Sequence, residues 1–324
     1  MLRQINLFRR AMRNVPIGSF LKIGFLWRFI AACAAAFFLI LAFPPFDESA
    51  AGWFAVIPLI LLAQYSDRKC AFGWGFFSGS LFWLFSLRWL LRLGETGTNY
   101  FLAAVAWFSL SLYCAFYVGI FCFLGTYVFR LTGKGGFFRN LISMFFLSVL
   151  WTGLEYLRGK IGTGFPWYPL ALTQVNNAGI LQLASIGGAS FVGFVIVFVN
   201  CAFAFAILRI KDRFIGQSVL RFQAELAVGL IALLACWVWG MNQIRAWQEK
   251  ISGWPELKIS VVQPNILQVK KWSKEYFDNI YETIRNQTIL AMLTKPSLVV
   301  LPETAIPNVI PLEEDGMKFV YDII

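Results

Sequence analysis

The 324 residues contain no histidine. That removes Ser-His-Asp and Cys-His chemistry, and every metal site that needs an imidazole. Charge is scarce too: Asp, Glu, Lys and Arg make up 14% of the chain, against about 25% in ordinary soluble domains. Acids are the scarcer sign, 17 against 28 basic residues. Cysteine is confined to Cys33, Cys70, Cys114, Cys122, Cys201 and Cys236, all in or beside apolar runs, with no C-x-x-C pair. This usage indicates neither a zinc site nor a disulfide framework and fits small buried hydrophobes.

What is abundant is apolar surface: 59% hydrophobic residues, 18% aromatic, mean hydropathy +0.66. No single soluble core hides that much, so the expected solvent is lipid. The net charge of +11 raises nucleic acid as a partner. The basic residues, however, form no stripe on a polar domain; they sit at the ends of apolar runs, where membrane topology puts them.

Seven spans are expected in a transmembrane domain of residues 1–245: 29–43, 51–63, 72–91, 101–129, 141–157, 180–208 and 224–239. The second is short for a bilayer, which takes about 20 residues, and the fourth and sixth are long. The first follows a basic segment, Arg3, Arg9, Arg10, Arg13, Lys22 and Arg28, that has no acid. Its small residues precede the bulk of the apolar run, so a retained span is expected instead of a cleaved signal peptide.

With the N-terminus cytoplasmic, inside connections hold Arg68 and Lys69, then Arg130, Lys134 and Arg139, then Arg209, Lys211, Arg213 and Arg221. Outside connections hold Asp47 and Glu48, then Arg92 and Glu95, then Arg158 and Lys160. The bias predicts a cytoplasmic N-terminus, and an odd number of spans puts the polar C-terminal segment outside.

After Trp254-Pro255 the composition changes. Residues 257–263 (LKISVVQ) and 297–301 (SLVVL) read as strands, and 273–293 as an amphipathic helix with Tyr276, Ile280, Tyr281 and Ile284 near helical spacing. Strand, helix, strand predicts a parallel βαβ unit. Residues 256–324 are too few to cover both faces of such a sheet, so they read as the opening of a larger α/β domain.

Glu303 directly follows the second strand. The carboxyl ends of parallel strands are where α/β folds place reactive groups, and a carboxylate in a dry crevice there acts as a general base. The residues alone favour an exposed loop acid over that reading. Trp272 after Lys271 reads either as a pocket wall or as an aromatic packed on a helix start. Phe165-Pro166-Trp167 reads either as part of a substrate-binding mouth or as an ordinary interfacial anchor. Glu155 and Arg158 stand three apart, the spacing of a snorkelling pair on one helix face, and Arg88 also reads as snorkelling. Gly73, Gly75 and Gly79 read as close helix packing.

Several segments together carry a resemblance. Leu301-Pro302-Glu303-Thr304-Ala305-Ile306-Pro307 resembles the Pro-Glu-Thr/Ser-Ala-Ile-Pro segment of bacterial apolipoprotein N-acyltransferases, which carry a nitrilase-like domain. Val262-Gln263-Pro264-Asn265-Ile266-Leu267-Gln268 with Lys271-Trp272 is similar to that family's Val-Gln-x-x-Ile-x-Gln…Lys-Trp stretch. Glu155-Tyr156-Leu157-Arg158-Gly159 and Thr163-Gly164-Phe165-Pro166-Trp167 resemble its Glu-x-Leu-Arg-Gly…Thr-Gly-Phe-Pro-Trp segment. Residues 41–46 and 73–83 also fit, and the matches run in the family's order.

The resemblance implies a multi-pass transferase of a diderm bacterium's inner membrane, its C-terminal segment periplasmic. It implies an acyl chain moved from a phospholipid through a Cys thioester to the N-terminal diacylglyceryl-cysteine of an apolipoprotein. It implies a Glu-Lys-Cys triad, of which only Glu303 is matched here; the Lys and Cys positions lie beyond Ile324. Trp272, Phe165 and Trp167 are the substrate-binding candidates it supports. No metal, organic cofactor or nucleic acid is implied. Without the nucleophile the 324 residues alone are expected to be inactive, as a fragment or a truncated product. A catalytically dead scaffold is the alternative. A small transporter fits less well, because the spans hold almost no internal charge and no repeat relates the halves.

Overall fold

The computed structural model describes residues 17–96, 99–132, 136–214 and 223–306, with residues 318 and 321. Several residues used above to orient the chain, Arg3, Arg9, Arg10, Arg13, Lys134 and Arg221, lie outside these, as do the side chains of Lys22, Lys211 and Arg213, and Pro307. The chain forms two compact units, one containing the segment up to Leu91 and Ala104–Trp247, the other Arg92–Ala103 and Gln248–Ile324.

The helices of the first unit are α1 (Ile17–Ala42), α2 (Ser49–Gly52), α3 (Ile57–Tyr65), α4 (Arg68–Ser86), α5 (Tyr100–Thr132), α6 (Phe137–Arg158), α7 (Ala178–Leu181), α8 (Ala184–Phe214) and α9 (Ala224–Ile251). Six segments among the described residues are long and apolar enough to cross a membrane: Gly24–Ala42, Arg68–Glu95, Tyr100–Thr132, Phe137–Arg158, Ala184–Arg209 and Ala224–Ile251. The chain is a multi-pass membrane protein.

The expected span at 51–63 is not one helix. Pro58 stands in the first turn of α3; it has no N–H to give the Phe54 carbonyl and its ring crowds that carbonyl, so the helix breaks into α2 and α3 around the turn at 53–56. The interrupted segment nevertheless runs back along its neighbours. Phe29 midway along α1 lies 6.0 Å from Phe77 near the middle of α4, and Phe43 just after α1 lies 5.5 Å from Phe82 near the end of α4. The two helices therefore run parallel, and 49–65 must carry the chain back between them. Trp27 against Tyr65 at 6.1 Å and Phe38 against Phe54 at 6.5 Å trace that return. Burial makes a short pass workable: Ala55, Val56, Leu59, Ile60 and Leu62 are fully enclosed by protein.

The remaining neighbours alternate in direction. Trp107 of α5 donates to the Leu84 carbonyl of α4 at 2.9 Å, Phe121 of α5 lies 5.0 Å from Trp151 of α6, and Arg209 of α8 pairs with Glu225 of α9. Asn140 of α6 also donates to the Glu225 carboxylate at 2.7 Å. Among the described residues the bundle thus holds six span-length helices and the broken segment 49–65, which returns between α1 and α4.

The expected glycine packing divides in two. A Cβ on Gly75 would meet Cys122 and the Val118 carbonyl, and one on Gly79 would meet Val118 and Ala115, so both let α5 approach α4. Gly73 faces open space and packs nothing. The expected span at 180–208 breaks as well: α8 is kinked at Gly187 and Gly188, the latter at φ +66°. The last helix runs to Ile251, past the polar residues at which a hydropathy reading stops.

In the second unit β1 (Ile259–Val261) pairs in parallel with β2 (Leu298–Val300), Ile259 opposite Leu298 and Val261 opposite Val300. Between them come α10 (Gln268–Lys271) and α11 (Phe277–Met292). Ile280 and Ile284 of α11 pack against Ala305, Leu301, Ile266 and Tyr276. Ile259, Val261, Leu298 and Val300 are exposed, so one face of the strand pair is covered and the other bare.

Candidate functional site

Two groups of the residues singled out from sequence acquire a geometry, one in each unit. In the second unit Glu303 follows β2 in a turn that Thr304 completes at φ +48°. Such backbone is uncommon outside glycine and asparagine and is held by its surroundings. Ala305, two residues on, is buried against α11 and anchors the far side of the turn. Lys271 Nζ donates to the Glu303 carbonyl at 3.1 Å, which ties the end of α10 to the same turn. Trp272 is adjacent and 57% exposed. The Glu303 side chain is exposed, so the described residues do not form the dry crevice in which its carboxyl would serve as a base.

In the first unit Glu155 and Arg158 do not snorkel. Arg158 is 3% exposed. Its guanidinium donates to the carbonyls of Phe165 and Trp167 at 3.2 and 2.7 Å and lies 4.6 Å from the Trp83 ring centre. Glu155 Oε1 accepts the Leu170 N–H at 2.8 Å. The spacing of three that places both side chains on one face of α6 lets one helix turn grip the loop 165–170 at both ends. Buried charge is tolerable only with such partners. Arg88 behaves as expected, exposed and lying over the Phe85 ring at 4.2 Å.

The gripped loop aligns its aromatics. Phe165 and Trp167 stack at 5.8 Å with 14° between planes, Trp167 stacks on Trp89 at 5.1 Å and 18°, and Phe165 meets Trp83 edge-on at 6.1 Å. Phe165 and Trp167 are thus brought together as one four-ring ladder, with Trp167 half exposed. Tyr168, at φ +53°, turns the other way and donates to the Ser86 carbonyl at 3.3 Å. Its burial raises the phenol above its usual titration range, against the opposing pull of Arg88, so it stays a donor at neutral pH.

Beside Trp83 lies a small, mainly apolar cavity of about 40 Å³, lined among others by Phe82, Trp83, Tyr117, Trp151, Arg158 and Tyr168. Trp83, Trp151 and Tyr168 carry no signal that separates them from the many other aromatics of the chain. Asn200, whose side chain bonds the Val56 N–H and the Gly52 carbonyl, does carry one: it is the lone strongly polar side chain in an otherwise apolar run. Among the described residues no cluster of three or more His, Cys, Asp or Glu is placed to hold a metal ion.

The apolipoprotein N-acyltransferase N-terminal domain matches residues 35–202, just over half of the 324. Among curated relatives, the apolipoprotein N-acyltransferase of Haemophilus ducreyi is 30% identical over 288 residues, covering 86% of this chain and 51% of that protein. The protein of the same name from Gloeobacter violaceus is 31% identical over 286 residues, covering 86% and 50%. That from Pasteurella multocida is 27% identical over 273 residues, covering 83% and 48%. The chain spans about half the length of the curated relatives it matches. With the domain match crossing the bundle from α1 into α8 and the relatives' similarity running through most of the chain, the protein belongs to the apolipoprotein N-acyltransferase family.

Proposed function

We propose that this protein serves N-acylation in lipoprotein maturation: an acyl chain passes from a membrane phospholipid, through a Cys thioester, to the α-amino group of an apolipoprotein's N-terminal diacylglyceryl-cysteine. In this reading residues 256–324 open a nitrilase-like domain and Glu303 is the general base. The observation that carries it is the Glu303 turn: a carboxylate directly after a parallel strand, its backbone held by Lys271 and by buried Ala305. Donor and acceptor are both lipid-anchored, so the crevice that joins them has to open at the membrane surface. The Phe165–Trp167 ladder and Trp272 are assigned to substrate binding.

The location proposed is the bacterial inner membrane, N-terminus cytoplasmic and the second unit periplasmic. Charge at the two ends of the bundle supports that orientation. One end carries Arg68, Lys69, Arg130, Arg139 and Arg209, and the other carries the acids Asp47 and Glu48 together with Arg88, Arg158 and Lys160. With the return segment 49–65 counted as a pass, seven lead from the first end to the second.

A thioester route needs a thiolate, and none of the six cysteines lies beyond residue 236. The 324 residues by themselves are therefore proposed to be inactive, with the thiol and the oxyanion-stabilising Lys supplied by sequence or a chain outside them. Purified full-length protein, given phospholipid and a diacylglyceryl-cysteine lipopeptide, is expected to form the N-acylated product. The isolated 324-residue chain is expected to form none. Absence of product from the full-length protein would refute the reading.

A further inference from the structure

A charge buried near the end of a membrane helix is costly, and an apolar side chain of similar size usually anchors a loop as well or better. Arg158 does what an apolar residue does not do: it holds two carbonyls in fixed positions. We propose that Arg158 is a positioning residue, holding the Phe165 and Trp167 carbonyls so that the Trp89–Trp167–Phe165–Trp83 ladder forms a preset ledge for the diacylglyceryl part of a lipid substrate. This rests on the acyl-transfer reading above and extends it to a residue that touches no reacting atom.

The geometry separates Arg158 from a simple loop anchor. Its two bonds fall on residues 165 and 167, whose side chains are the two stacked central rings of the ladder, so a shift of either carbonyl tilts a ring. The Trp83 face beneath the guanidinium closes the arrangement, because Trp83 also meets Phe165. The return bond from the Phe165 N–H to the Arg158 carbonyl, 2.9 Å, sets the distance between helix end and loop. Glu155 on Leu170 fixes the loop's far end without touching the ladder. The ligand class follows from the surface offered: flat aromatic faces, Trp167 half exposed, at an end of the bundle where interfacial Trp is favoured. That surface suits acyl chains near their ester groups, a moiety that phospholipid donor and lipoprotein acceptor share.

The test uses the full-length enzyme in lipid nanodiscs, with Arg158→Met, Arg158→Lys, Trp167→Ala and the Arg158→Met/Trp167→Ala double variant. Donor and acceptor are varied separately. Arg158→Met is expected to raise KM for one or both lipid substrates about tenfold, the scale of a lost charged hydrogen bond, with kcat within about twofold of the wild type. Arg158→Lys is expected to fall between: both bonds come from one guanidinium nitrogen, so an ammonium can still donate to the carbonyls, but its compact head lacks the flat face that lies over Trp83. Trp167→Ala is expected to match Arg158→Met, and the double variant to be no worse than the poorer single one, as for two residues acting through one feature. Multiplying effects, a loss in kcat with KM unchanged, or a lowered melting temperature with normal kinetics would each overturn the proposal. Wild-type turnover is measured first: if it is absent the acyl-transfer reading fails, whereas an active wild type with multiplying effects sinks this inference alone.

Discussion

Asn200 Oδ1 accepts the Val56 N–H at 2.9 Å, and the same side chain donates to the Gly52 carbonyl at 3.1 Å. These are backbone groups that the break between α2 and α3 leaves without a helical partner, and Asn200 itself is fully buried. In hydrocarbon there is no water to take them, so irregular backbone survives only where protein supplies the missing bonds. One amide from α8 supplies both.

Asn200→Leu keeps the volume roughly and removes both bonds. Orphaned buried backbone groups cost about 1–3 kcal/mol each, while bonds between membrane helices average about 0.6 kcal/mol. A loss of about 1–3 kcal/mol in total is expected, seen as a lower melting temperature or midpoint in detergent unfolding. A variant as stable as the parent would mean that the turn at 53–56 finds other partners.

Gly73→Ala and Gly79→Ala form a matched pair six residues apart on α4. An added Cβ at 79 would lie 2.9 Å from Val118 Cβ and 3.0 Å from Ala115 Cα, whereas at 73 nothing lies within 4 Å. Gly79→Ala is expected to destabilise by about 1–3 kcal/mol through overpacking. Gly73→Ala should be neutral or stabilise by up to about 1 kcal/mol, the helix preference of Ala over Gly. Equal effects at the two sites in thermal unfolding would contradict the packing of α5 on α4.

Ser273→Cys in a cysteine-free background reports the side of the membrane on which the second unit lies. Labelling of whole cells by an impermeant maleimide is expected. Protection until the membrane is opened would reverse the proposed orientation and with it the enzymatic reading.

Glu303→Gln in the full-length enzyme keeps the shape of the turn and the Lys271 bond, which falls on the backbone carbonyl. A general base contributes about 10²–10⁴-fold, so kcat is expected to fall by that factor, with lipid KM changed little. Steady-state acyl transfer decides it; an unchanged kcat would return Glu303 to the status of an exposed loop acid.

Hydropathy and charge already determine a good deal, because lipid acts on composition: a helix that faces hydrocarbon has to be apolar whatever its neighbours are. The long spans and the basic bias of their connections are legible on that ground, while the strand–helix–strand order after Pro255 is legible from local periodicity. Only the tertiary structure decided that 49–65 is a broken return segment, since its direction depends on α1 and α4 lying parallel. It alone decided that Gly73 packs nothing while Gly79 packs α5, because identical residues differ only in what faces them. It also turned Arg158 from a surface cation into a buried clamp: spacing puts Glu155 and Arg158 on one helix face, but the carbonyls they grip arrive from a loop whose path no local pattern encodes.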